Sequence, residues 1–193
     1  MSPEDVLAFW FADGPARYRD AWFDATPEFD AGCAARFRDA LRDARSGALD
    51  HWAEEPRGAL ALVILLDQLT RNIHRGTPEA YAADPHALAI ARTALARGFD
   101  ARLGPVERLF LYLPFEHAES LAEQEESVGL FEGLRGTFDD AEVAIDAAHW
   151  HRDVIRRFGR FPQRNAILGR ASTPEEQAFI ADGAPSVSGE GKG

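Results

Sequence analysis

The sequence predicts an all-α fold, a compact stack of antiparallel helix pairs, on three observations. Helix starts are written repeatedly as a side-chain cap followed by proline, at Ser2-Pro3, Thr26-Pro27, Thr77-Pro78, Asp84-Pro85 and Thr173-Pro174. The cap oxygen satisfies an amide without an intrahelical partner, and proline in the first helical position gives up only such an amide. Glycines at 47, 98, 159 and 183 stand where helices close in a left-handed residue. No Asn-Gly or Asp-Gly pair lies between alternating apolar residues, since Asp13-Gly14 runs into proline.

The elements follow in order, with boundaries good to about two to four residues. A first helix over about 3–12 starts at the Ser2 cap, and a second covers about 16–23. Their aromatics, Phe9-Trp10-Phe11 and Trp22-Phe23, read as docking the N-terminal segment rather than stacking on a cofactor. The segment at about 27–46 repeats Phe29, Cys33, Phe37, Ala40 and Leu41 at helical spacing, leaving an Arg/Asp outer face. A short segment at about 48–54 precedes 56–73, which is apolar all round at its centre and is the expected buried middle helix. Short and longer helices follow at about 78–82, 85–97 and 105–113. Pro114 is expected to kink or break the run before a helix at about 115–135. Helices at about 139–158, 161–168 and 174–182 complete the set, the last opened by a capping box of Thr173 and Glu176. Residues 1–183 read as one helical domain, and 184–193, APSVSGEGKG, as a disordered tail. No strict repeat of about 34 residues is visible.

Composition narrows the class of function. A chain of 193 residues with 46% hydrophobic content suits one core. A single cysteine, Cys33, leaves no internal disulfide framework and suits a reducing compartment. The opening MSPEDVLAFWF carries acids where a secretory signal carries positive charge, and the longest apolar stretch, Ala59 to Leu66, is too short for a membrane span. The expectation is a soluble cytoplasmic protein. A net charge of −11 argues against nucleic-acid and anionic-membrane partners. Lys192 is the only lysine, so arginine identity is discounted as a clue while arginine position is not.

Three polar stretches carry the chemistry. In Leu66-Asp67-Gln68-Leu69-Thr70-Arg71-Asn72, Asp67 and Arg71 stand one turn apart on the most apolar helix. They read either as an intrahelical ion pair at a frayed polar end or as a pocket wall that aims Gln68 or Asn72 at a ligand. In Pro114-Phe115-Glu116-His117-Ala118-Glu119-Ser120 the break leaves carbonyls that His117 or Ser120 could serve. His117 and Glu119, two apart, make a poor metal pair and a poor dyad, whereas His117, Ser120 and Gln124 share a face of a regular helix. His117 reads as a structural histidine or as a proton-transfer group. The third stretch runs from His149 and His151 through Arg152, Arg160, Arg164 and Asn165 to Arg170, locally basic in an acidic chain. Its arginines either pair with acids from other helices or form a fork for a carboxylate or phosphate. There is no GxxxxGK[ST], GxGxxG or HExxH motif and no paired cysteine, and neither metal nor cofactor is expected.

The stretches LALVILLDQLTRNIHRGTPEAYAADPHAL, PVERLFLYLPFEHAESLAEQE and HRDVIRRFGRFPQRNAILGRASTPEE, with the opening FWF and WFDATPEFD, resemble the bacterial domain-of-unknown-function family 924. The resemblance implies a compact helical domain similar to the tetratricopeptide-repeat-like superfamily, without a repeat consensus, and no established activity, substrate or cofactor. The positions matching the family's recurrent polar residues are Asp67, Gln68, Arg71, Asn72, His117, Glu119, Gln124, His151, Arg152, Arg160, Arg164 and Asn165. Thr70 stands where members often have proline, and Gln163 where they often have histidine. The leading expectation is a polar His/Arg-lined pocket for a small anionic metabolite. The alternatives are an enzyme that uses His117 or His151 as base in the same pocket, and a protein-interaction scaffold.

Overall fold

The computed structural model describes residues 1–12, 14, 19, 22, 23 and 25–183, and among them there is no strand. Five of the residues expected in a helix at about 16–23, and the whole of 184–193, lie outside the described residues. The first helix, α1 (Pro3–Trp10), opens on a reciprocal cap. Ser2 Oγ accepts from the Asp5 amide at 3.3 Å while the Asp5 carboxylate accepts from the Ser2 amide at 2.8 Å. Next, α2 (Pro27–Arg45) starts where Thr26 Oγ1 accepts from the Phe29 amide, and buries Cys33, Phe37, Ala40 and Leu41 as its spacing requires.

A single helical run follows. It comprises α3 (Pro56–Val63), a π-helical segment (Ile64–Leu69) and α4 (Thr70–Ile73), joined through residues that keep helical backbone angles. Every residue from 58 to 72 is buried, so this is the middle of the molecule. The π-helical turn has no signature in the sequence, and such wider turns occur frequently at functional sites. The short 3-10 turn Asp50–Glu54 lies directly on α3, which has room there only for glycine. A Cβ at Gly58 would stand 2.0 Å from the Trp52 carbonyl oxygen. Gly58→Ala is therefore expected to cost about 1–3 kcal/mol by overpacking. A wild-type thermal unfolding curve for that variant would mean that the 50–54 turn shifts freely.

The start of α5 (Asp84–Ala96) departs from expectation. Ala83 is the cap and Asp84 is already helical, with its carboxylate turned away to Arg71 and Arg164. Arginine partners hold that carboxylate more strongly than an amide would, so the cap site goes unused. Thr77 makes no side-chain cap either, and only a 3-10 turn (Pro78–Ala80) follows it. Pro114 does not break α6 (Pro105–Glu116), which runs two residues past it. Proline there removes one hydrogen bond in the final turns, and the break falls instead at 117–120. His117 and Ser120 therefore lie outside regular helix and do not share a helical face with Gln124. The helices α7 (Leu121–Glu132) and α8 (Ala141–Phe158) follow, the latter closed by Gly159 at φ +70°. A 3-10 turn (Pro162–Arg164) replaces the helix expected at about 161–168. Finally, α9 (Pro174–Ala181) opens on the capping box of Thr173 and Glu176.

Neighbours in sequence are neighbours in space: α5 packs on α6, α6 on α7 and α7 on α8, while α1 and α5 flank α3, and α2 covers the π segment and α4. The N-terminal aromatics dock as expected. Trp10, Phe11 and Trp22 surround Phe110 of α6 at ring separations of 5.5, 5.6 and 4.7 Å. Among the described residues no helix is long and apolar enough to cross a membrane.

Candidate functional site

The π segment places Asp67 at the centre of a buried polar cluster. Its side chain has no exposure at all. His117 Nδ1, from the turn after α6, lies 2.8 Å from Asp67 Oδ1 and 3.0 Å from Oδ2. Arg71 Nη1 donates to Oδ1 at 3.2 Å and also to the Asp67 carbonyl, and Gln68 donates to Oδ2. Burial alone would raise the Asp67 pKa, but Arg71, His117 and Gln68 more than reverse it and hold the carboxyl well below the usual range. An ionised carboxylate only accepts, so Nδ1 carries a proton and Nε2 of a neutral His117 carries the lone pair. That Nε2 is buried and has no hydrogen-bond partner among the described residues.

His117 lines a cavity of about 350 Å³. The walls come from the 78–85 turn and Leu88, from Pro114, His117, Ala118 and Glu119 at the α6–α7 junction, and from Arg164 and Leu168. Arg164 is held by a carbonyl, a carboxylate and two aromatic rings. Nη1 donates to the His117 carbonyl at 3.1 Å and stands 3.6 Å from Asp84 Oδ2. Its guanidinium carbon lies 4.7 Å from the Tyr81 ring centroid and 4.5 Å from that of Phe161. Arg71 Nη2 reaches the same Asp84 oxygen at 3.0 Å. Burial raises the Asp84 pKa, aided by Asp67 and opposed by the two guanidinium groups.

A second buried pair stands behind His117. Glu116 Oε1 is 3.2 Å from His151 Nδ1, and that nitrogen donates to the Ala147 carbonyl at 2.8 Å. Burial and the charge of Asp67 push Glu116 up to about 8, while burial and neighbouring positive groups push His151 down to about 3. The acid is thus protonated and the imidazole neutral. The His117 and His151 rings meet edge to face at 6.3 Å.

The three polar stretches read from the sequence do converge, but not all of their residues reach the cavity. His117, Glu119 and Arg164 line it, and Asp67, Gln68, Arg71 and His151 support or neighbour His117. Glu119 also takes both amino groups of Arg170 and the Phe161 amide, tying the 161–170 loop down. Gln124 serves the end of α6, donating to the Glu116 and Ala118 carbonyls, the task expected of His117 or Ser120. Asn72 bonds Asp30, and Asn165 bonds Ser172 and Glu176. Arg152 pairs with Asp153. Arg160 turns outward onto Glu176, so it does not form a fork with Arg164. Tyr81, Asp84 and Glu116 were not singled out by the sequence. Cys33 is core, its thiol pushed up to about 12 by burial, which leaves no thiolate to react. Among the described residues no group of three or more His, Cys, Asp or Glu side chains is arranged to hold a metal ion.

These features define an all-helical protein with a cavity between the 78–88 segment, the α6–α7 turn and the 164–168 turn, its wall carrying Asp84, His117, Glu119 and Arg164. The chain belongs to the family described as bacterial protein of unknown function (DUF924), which it matches over residues 6–184. It is similar to the solved structure of a protein of unknown function from Agrobacterium tumefaciens. The two share 42% identity over 94% of this chain and 97% of that one, with a TM-score of 0.85. No curated protein matches the chain.

Proposed function

We propose that the cavity is the active site of an enzyme that moves a proton to or from a small polar substrate. His117 is its general base or acid, and Asp67 holds the ring. One observation carries this reading: the buried Asp67 carboxylate takes Nδ1, and Nε2 of a cavity-lining histidine has no partner among the described residues. A carboxylate behind Nδ1 fixes the tautomer and stabilises the imidazolium that forms when Nε2 takes a proton. His151 is the poorer base, because burial keeps it neutral far below pH 7. The anionic-ligand alternative has less support, since Arg71 and Arg164 both face Asp84 and balance charge within the wall. The scaffold alternative has less still, because most of the same polar residues are buried rather than displayed.

Incubating the protein with a bacterial metabolite extract in D2O, followed by mass spectrometry, tests the catalytic reading. At least one metabolite is expected to be converted or deuterated about 100- to 10,000-fold faster by wild type than by His117→Gln. Identical metabolite profiles for the two proteins would sink the reading.

A further inference from the structure

Two buried acceptors stand at the cavity without a partner among the described residues. Asp84 and His117 both line it, and Asp84 Oδ1 and His117 Nε2 are buried with no hydrogen-bond partner among the described residues. Asp84 spends its other oxygen, Oδ2, on both guanidinium groups, at 3.0 Å to Arg71 and 3.6 Å to Arg164. A carboxylate oxygen only accepts, and so does Nε2 of an imidazole whose Nδ1 holds the proton. The neighbouring guanidinium groups of Arg71 and Arg164 are engaged by Asp67, Asp84, the His117 carbonyl and two aromatic rings. The cavity therefore offers two acceptors to the donors of a ligand. Most of the remaining wall is apolar, from Pro78, Pro85, Leu88 and Leu168. Its volume of about 350 Å³ lies at the small end of ligand sites. A net charge of −11 draws cations towards the protein and turns anions away.

We propose that the ligand is a small primary amine, bound as its ammonium, with N–H groups directed to Asp84 Oδ1 and His117 Nε2 and its apolar body against Leu88 and Leu168. This rests on the cavity being the site described above, and it replaces the anion expected from the sequence with a cation. Buried acceptors without partners are costly, and an ammonium brings three donors to a place that has two of them. A positive charge beside Asp84 also acts in the same sense as the two guanidinium groups, against the burial that raises its pKa.

Isothermal titration of the full chain with n-pentylammonium and with hexanoate, two ions of similar size and opposite charge, tests the proposal. The ammonium is expected to bind at least about tenfold tighter than the carboxylate. Asp84→Asn is expected to weaken the ammonium by about tenfold or more and not to weaken hexanoate. The wild-type comparison needs no variant, so it stands even if Asp84→Asn fails to fold. Leu168→Trp, which narrows the cavity without touching a charge, is expected to abolish ammonium binding. Hexanoate binding as tightly as the ammonium, no binding of either ion, or ammonium binding that survives both substitutions would each overturn the proposal. Ammonium binding together with identical metabolite profiles for wild type and His117→Gln would support this inference while sinking the catalytic reading.

Discussion

Asp67→Ala is expected to lower the unfolding free energy by about 3–5 kcal/mol, the range for breaking a fully buried charge set from one side. Alanine takes from the Arg71 guanidinium, itself 8% exposed, one of its two described carboxylate partners, and strips His117 Nδ1–H of its acceptor. The loss comes from what is stranded more than from what is removed. Adding Arg71→Met should therefore recover part of it, with a coupling of about 0.5–3 kcal/mol in the double-mutant cycle. Urea denaturation measures both. A single-variant loss below about 1 kcal/mol would mean that solvent reaches the cluster and that it is not the buried set described.

That fragility bears on function. Well-packed apolar residues of similar volume are often at least as stabilising as a buried ion pair. Asp67, Arg71, Glu116, His117 and His151 nevertheless crowd beside one cavity, whereas most other ion pairs among the described residues have at least one exposed partner. Packing does not ask for that concentration of ionisable groups, whereas a site that moves protons does.

Much of this was legible in the chain. Cap-proline pairs and apolar spacing locate most of the helices, because those signals act within a turn of the residues that carry them. The buried middle helix is equally plain from Ala59 to Leu66. Asp67 was legible as a buried acid needing Arg71, since it closes that apolar run. Its bond to His117 was not, because nothing local encodes a contact 50 residues away. Glu116 was within reach of the same rule. It follows seven residues, Leu109 to Phe115, without a charged side chain, and so enters the core as Asp67 does. Asp84 misled for a different reason. Its place before Pro85 is a good cap signal, but two arginines arriving from elsewhere in the fold outbid the local amide. The split between Arg160 and Arg164 has the same origin: Glu176, on another helix, claims the first.

The pair of Glu116 and His151 is expected to shape the stability of the whole protein against pH. In the folded state Glu116, raised to about 8, keeps its proton while His151, lowered to about 3, stays neutral. The pair thus holds one proton from about pH 3 to about pH 8. Unfolded, with ordinary values of 4.5 and 6.5, it holds two protons at low pH, one between those values and none above. Stability from this pair is therefore flat between pH 4.5 and 6.5, where the two states hold equal protons. Above that window the folded state must keep a proton the unfolded chain has lost, and stability falls as pH rises. Below it the unfolded chain takes a proton the folded state refuses, and stability falls as pH drops. Each limb amounts to at most about 2 kcal/mol, at about 1.4 kcal/mol per pH step. Asp67, whose pKa is depressed, contributes stability above its ordinary value of 3.8 that is lost as pH falls, which deepens the acid limb alone. Glu116→Gln separates the two sides. With that acid gone, the pair's own alkaline limb disappears, and its contribution rises to about pH 6.5 and then stays level. At pH 8 the variant is expected to have gained up to about 5 kcal/mol on wild type, relative to their difference at pH 4.5. Urea unfolding of both proteins from pH 4 to 8.5 reads this directly. If the stability difference between the two proteins does not change from pH 4.5 to pH 8, Glu116 is already ionised in the folded protein and the proton held behind His117 does not exist.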